Sequence, residues 1–270
     1  MIWGMSVVLA GFLASLVAGL FTGLGALPAA LVKKVTERKL DVMLGFAAGV
    51  MLAATSFSLI VPGIEYGDEM WPGKGVYAVA VGMLIGGLFL DRADKWLPHE
   101  HFVKGHEGPE SRLRKIWLFI IAITLHNFPE GLAVGVGFGA AAALPPDSPE
   151  FAAAIGGAVA LAIGIGLQNA PEGLAVAMPL MGEGYTRRKA IWIATATGLV
   201  EPVGGLLGVV AVAVFRPLLP FGLAFAAGAM LFVICDEIIP ETHGRGFARQ
   251  ATFGVMVGFV VMMAMDNLLG

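Results

Sequence analysis

The chain has 270 residues, 57% of them hydrophobic and 14% charged, with a mean hydropathy of +0.83 and a formal net charge of −3. A soluble domain carries roughly 25% charged residues, so the composition excludes an ordinary water-soluble fold and points to a bilayer protein. The small net charge, with no basic tail, argues against a nucleic-acid partner, and a single cysteine, Cys235, excludes an internal disulfide and any CxxC metal or redox site.

A helix needs about 20 apolar residues to cross the hydrocarbon. Eight segments meet that length: 5–32, 40–62, 76–96, 115–139, 151–181, 188–214, 220–242 and 247–268. The first has no basic residue before Lys33, and its apolar run is about twice that of a signal-peptide core. It is therefore expected to be a membrane span and not a cleaved leader. Turn and charge signals separate the spans at Lys33-Lys34, Pro72-Gly73, Pro145-Pro146, Arg187-Arg188-Lys189, Arg216-Pro217 and Gly244-Arg245. The expected fold is all-α: one polytopic transmembrane domain over residues 1–270.

Basic residues set the orientation. Connections 1–2, 3–4, 5–6 and 7–8 hold 15 of the 17 Lys and Arg, and the remaining two are Lys74 and Arg216. The positive-inside rule then puts these four connections in the cytoplasm and both termini on the extracytoplasmic side.

Two internal repeats follow. His126-Asn127-Phe128-Pro129-Glu130-Gly131 in span 4 returns 42 positions later as Gln168-Asn169-Ala170-Pro171-Glu172-Gly173 in span 5. Phe46-Ala47-Ala48-Gly49-Val50-Met51-Leu52 in span 2 resembles Phe225-Ala226-Ala227-Gly228-Ala229-Met230-Leu231 in span 7. Each pair lies an odd number of spans apart, so its members run antiparallel. Both fit one inverted 3+2+3 arrangement pairing span 1 with 6, 2 with 7, 3 with 8 and 4 with 5, an organisation found in transporters.

The span-4 motif places His126 and Glu130 at i and i+4, and Asn127 and Glu130 at i and i+3, all on one helix face. Span 5 repeats this with Gln168, Asn169 and Glu172. Two such faces turned together could hold two cations with Glu130 and Glu172 bridging. Pro129 and Pro171 free the carbonyls of Leu125 and Leu167. Glu201, followed by Pro202 in span 6, adds a third carboxylate. A carboxylate at mid-membrane costs about 2.5–3.5 kcal/mol on insertion scales, and a divalent cation compensates three of them. Imidazole with carboxylates and amides suits Zn²⁺ or Fe²⁺ better than Mg²⁺. Met51 could add a thioether, though methionine is more often core filler.

Other features carry weaker expectations. Gly131, Gly135 and Gly139 form a small-residue ridge that serves either tight packing or sliding. The 97–114 connection holds His99, His101 and His106, either a metal relay or a solvated loop. Asp236, Glu237, Glu241 and His243 run along the inner half of span 7, and Glu65, Asp68 and Glu69 gather on the outer side after span 2. Acidic residues at both mouths attract cations.

These motifs resemble the paired span-4 and span-5 motifs of the ZIP (Zrt/Irt-like) metal transporters in their bacterial branch, and the resemblance extends over all eight spans. It implies divalent-metal uptake toward the cytoplasm through a two-metal site. One metal would use His126, Glu130, Gln168 and Glu172 with Met51 at its edge. The other would use Asn127, Glu130, Asn169, Glu172 and Glu201. It further implies a homodimer in the bacterial inner membrane, an elevator-like slide of spans 1, 4, 5 and 6 against 2, 3, 7 and 8, and a metal-binding role for the 3–4 loop. Two departures stand out: Gln168 where many members have His, and Asn169 where some have Asp. No catalytic residue and no cofactor are expected, and zinc is the expected cargo, with iron, manganese and cadmium left open. The competing readings are a membrane-embedded zinc hydrolase, which the lack of HExxH disfavours, and a passive metal channel.

Overall fold

The computed structural model describes residues 5–31, 36–96, 98–101, 105–107 and 115–269. Eight helices among them are long and apolar enough to cross a membrane: α1 (Val7–Ala30), α2 (Glu37–Met70), α3 (Gly75–Ala93), α4 (Ile116–Ala140), α5 (Pro149–Gly182), α6 (Arg187–Val214), α7 (Arg216–His243) and α8 (Ala248–Leu269). Four of them start where a hydroxyl precedes the apolar run. Ser6, Thr36, Ser148 and Thr186 accept hydrogen bonds from the amides of Leu9, Lys39, Phe151 and Lys189, which satisfies a donor the first turn would otherwise strand. Between α3 and α4, strands β1 (His99–His101) and β2 (Gly105–Glu107) pair antiparallel, with Glu100 opposite His106. Residues 97, 102–104 and 108–114 of this connection, and the side chains of its three histidines, lie outside the described residues.

The prolines explain where helices widen, break or continue. The π-helical segments Ala54–Ile60 in α2 and Ile234–Ile238 in α7 stand just before Pro62 and Pro240. A proline offers no N–H to the carbonyl four residues back, and its ring crowds that carbonyl. One extra residue in the turn relieves the clash without ending the helix. Hence α2 does not stop near residue 62, as the apolar run suggests, but continues to Met70. Glu65, Asp68 and Glu69 therefore sit on its final turns and not beyond them. In α6 the helix breaks at Leu199-Val200, directly before Glu201-Pro202. α4 and α5 run unbroken through Pro129 and Pro171.

Packing follows the inverted symmetry of the repeats. The most extensive helix pairs are α2 along α8, α3 along α7, α4 along α6 and α1 along α5. Exchanging 1 with 6, 2 with 7, 3 with 8 and 4 with 5 turns the first pair into the second and the third into the fourth. The result is two bundles, one of α1, α4, α5 and α6 and the other of α2, α3, α7 and α8. Within each, backbones touch. A Cβ on Gly131 would fall on the Glu201 carbonyl, one on Gly173 on the Thr22 carbonyl, and one on Gly228 on the Met83 carbonyl. Where a glycine of one bundle faces the other, it meets side chains: Gly222 of α7 lies against Val136, and Gly164 of α5 against Met262 and Val50. The Gly131–Gly135–Gly139 ridge packs on Glu201, Gly205 and Val212 of α6, inside its own bundle, so it locks helices together.

Candidate metal centre

The two motifs meet α6 in the middle of the first bundle. His126, Asn127, Glu130, Gln168, Asn169, Glu172 and Glu201 are all buried. Helix α4 reaches α5 through Gln168, whose Nε2 donates to Glu130 Oε1 at 2.6 Å. The second motif reaches α6 and α1 through Asn169, whose Nδ2 donates to Glu201 Oε1 at 2.6 Å and to the Ala18 carbonyl at 2.9 Å. Glu130, Glu172 and Glu201 lie close enough to repel one another, and His126 lies close to Glu172. Gly131 and Gly173 make this convergence possible, because only a residue without Cβ lets α4 and α5 approach the backbones of α6 and α1 this closely.

The centre is rich in oxygens that lack a donor. Glu130 Oε2, Glu172 Oε2, Glu201 Oε2, Gln168 Oε1, Asn169 Oδ1 and both amide atoms of Asn127 are buried without a hydrogen-bond partner. Each such group costs about 1–3 kcal/mol when left unsatisfied. A cation that accepts lone pairs from carboxylate and amide oxygens would satisfy several at once. Among the described residues, no three His, Cys, Asp or Glu side chains are grouped closely enough to hold an ion by themselves. Amide oxygens must therefore complete any such shell, and the carboxylates bonded to Gln168 and Asn169 must turn toward the ion. Met51 is buried in the apolar core that also holds Ala133, Val134 and Ile165, the residues flanking both motifs.

Glu237 belongs to this neighbourhood, although its sequence position suggests a mouth residue. Its Oε2 lies 2.5 Å from His126 Nε2 across the boundary between the bundles. The π segment of α7 carries Glu237, and the added residue turns the helix face from where a regular 3.6-residue period would put it. Pro240 was the available signal.

Two cavities approach the centre from opposite ends. One of about 60 Å³, at the end bearing the basic connections, is lined by His126 and Glu172 together with Glu237, Glu241 and Arg245. The other, about 520 Å³, opens at the end of the chain termini and is lined by Glu65, Glu69, Glu150 and Asp266. There Ser58 Oγ donates to Asp266 at 2.5 Å. The residues lining the larger cavity include none of the motif side chains, whereas His126 and Glu172 line the smaller one.

The sequence is similar to known proteins. The profile of the family described as ZIP Zinc transporter matches residues 99–266. The chain is 46% identical over 264 residues to zinc transporter GufA of Myxococcus xanthus, covering 97% of this chain and 99% of that one. It is 44% identical to zinc transporter ZIPB of Bordetella bronchiseptica, over 92% of this chain and 78% of that protein. Zinc transporter ZIP11 of Homo sapiens is 35% identical over 87% of this chain and 90% of its own.

Proposed function

Because the chain belongs to the ZIP zinc transporter family, we propose that it carries Zn²⁺ into the cytoplasm through two cation positions between α4, α5 and α6. The observation that carries this reading is the set of buried oxygens without donors on Glu130, Gln168, Asn169, Glu172 and Glu201, of which Glu172 also lines a cavity with His126. One position takes His126, Glu130, Gln168 and Glu172, with Met51 at its edge. The other takes Asn127, Glu130, Asn169, Glu172 and Glu201, with Glu130 and Glu172 shared. Relatives named as zinc transporters make the chain a transporter and not an enzyme, with zinc as cargo and not cofactor. The hydrolase reading has no support left. Iron, manganese and cadmium are further candidate cargo.

The same reading includes an elevator slide of the α1, α4, α5 and α6 bundle against the other. Its support is a contrast in packing: the main-chain contacts at Gly131, Gly173 and Gly228 all fall within a bundle, whereas Gly164 and Gly222 meet side chains across the boundary. A bacterial inner-membrane location with both termini outside rests on the distribution of Lys and Arg. A homodimer rests on the family resemblance, and sedimentation of the detergent-solubilised chain reads it.

Zinc flux into proteoliposomes tests the function. Saturable uptake, inhibited by Cd²⁺ and accelerated by zinc preloaded inside, is the expected result. Uptake that rises linearly with zinc and shows no such acceleration would convict the passive-channel alternative.

Asn169→Asp gives a separate prediction. Asn169 donates to Glu201 and Ala18, whereas an aspartate would set two carboxylates face to face at hydrogen-bond distance. The metal-free protein should lose thermal stability while zinc binding tightens by about tenfold or more, the effect of one added charge beside the ion. Uptake should persist. Thermal shift with and without zinc checks this, and a zinc-induced shift no larger than that of the unaltered chain would contradict it.

A further inference from the structure

One buried hydroxyl beside the metal centre is idle. Thr22, on α1, is fully buried, and its Oγ1 has no hydrogen-bond partner. A threonine inside a helix commonly donates to the carbonyl four residues back. This chain follows the habit: Thr124, Thr195 and Thr252 bond the carbonyls of Ile120, Ile191 and Ala248 at 2.7, 2.9 and 2.9 Å. Thr55, which is also unpartnered, lies in the π segment of α2, where that register is lost. Thr22 lies in a regular stretch of α1, and four residues before it stands Ala18.

That acceptor is already taken. A backbone carbonyl has two lone pairs. At Ala18 one serves the helix ladder, and the other receives Asn169 Nδ2 at 2.9 Å. The carbonyl three residues back, that of Gly19, faces Gly198 of α6. A Cβ on Gly198 would lie 2.2 Å from it and 2.7 Å from Thr22 Oγ1. A residue of the metal centre therefore shuts out the Thr22 donor, and a buried donor left unpaired costs stability.

Asn169 cannot keep this arrangement while it serves an ion. Its Nδ2 is the atom that faces Glu201 Oε1, at 2.6 Å, whereas its Oδ1 has no partner. An ion shared by Glu201 and Asn169 needs Oδ1 on the Glu201 side, and an oxygen brings no hydrogen to Ala18. We propose that Thr22 is a positioning residue whose hydroxyl takes over the Ala18 carbonyl as Asn169 turns its oxygen toward the ion. The exchange leaves an orphan hydroxyl in the metal-free chain and none in the loaded one, so it favours loading. The proposal rests on the second cation position given above, and Thr22 itself touches no ion.

Thermal unfolding of the purified full-length chain with and without zinc, together with equilibrium dialysis of zinc, tests it. Thr22→Val keeps the shape and removes the hydroxyl. It should raise the midpoint of the metal-free chain, weaken zinc binding about tenfold and so shrink the zinc-induced shift. Thr22→Ser should return both to those of the unaltered chain. A hydroxyl idle in both states would instead give equal gains with and without zinc, and that result overturns the proposal. A second arm needs no metal. Asn169→Ala releases the Ala18 carbonyl, so Thr22→Val added there should lower the midpoint that it raises in the unaltered background. A gain in both backgrounds overturns the proposal. If Thr22→Val does not fold, Thr22→Ala takes its place. Its cavity lowers the midpoint in both states, the tenfold loss of zinc affinity is still expected, and an unchanged affinity overturns the proposal alone. An unaltered chain that binds no zinc, or a Glu130→Ala chain that binds as much as it does, overturns the transport reading and this proposal with it, so the two failures are told apart.

Discussion

Replacing Glu130 by alanine should abolish zinc uptake while the protein still folds and inserts. Glu130 is fully buried at the junction of α4 and α5, with one carboxylate oxygen on Gln168 and the other without a partner. Its removal leaves the Gln168 N–H unpaired, a cost of about 1–3 kcal/mol. That cost is offset by the removal of a buried carboxylate worth about 2.5–3.5 kcal/mol against insertion. Folding should therefore change little. Cation binding has no such compensation, because the same side chain serves both proposed positions. Even an outer-shell partner of a metal ligand is worth about 10–100-fold, so loss of a shared ligand should exceed the upper figure. His126→Ala should act in the same direction through one position only. Radiolabelled zinc uptake, normalised to monodisperse protein in the liposomes, measures both. Normal uptake by Glu130→Ala would remove the bridging role and the two-position site with it.

Gly131→Val should act on the fold itself. A Cβ at residue 131 would lie on the backbone of Glu201, and a main chain cannot swing aside as a side-chain tip can. The branched side chain would push α4 from α6, at a cost above the about 1–3 kcal/mol of ordinary overpacking. It would also drag Glu201 out of register with Asn169. The expected outcome is aggregated or poorly inserted protein by size-exclusion chromatography, and little zinc binding in whatever remains. Gly157→Ala in α5 is the control, since a Cβ there meets nothing within 4 Å. Equal behaviour of the two variants would show that the close contact between α4 and α6 is dispensable.

Most of the architecture was legible because lipid makes sequence explicit. Apolar runs give the spans, and carboxylates inside them need a reason, so Glu130, Glu172 and Glu201 stood out without any structure. The repeats gave the symmetry of packing for the same cause, since antiparallel copies of one pattern bury the same faces. What escaped was local geometry set by backbone chemistry. Glu237 appeared to belong to an acidic rim because a regular helical period was assumed, whereas the π segment before Pro240 brings it to His126. The same mechanism carried α2 past Pro62 to Met70. The glycine ridge at 131, 135 and 139 left packing and sliding open, because spacing alone does not say which helix lies opposite. It faces α6 of its own bundle. Arg245 read as one more positive-inside residue, since its carboxylates, Asp41 and Glu241, come from different spans.

The contrast between the two kinds of glycine contact has an outcome visible without coordinates. In a saturation scan read by surviving protein, enlargements at Gly131, Gly173 and Gly228 should be purged, since each meets main-chain atoms. Alanine at Gly222 should be recovered, because Val136 can yield the few tenths of an ångström that a 3.2 Å contact requires. Plotted along the chain, such a tolerance map would separate the places where helices touch at the main chain from those where they meet through yielding side chains.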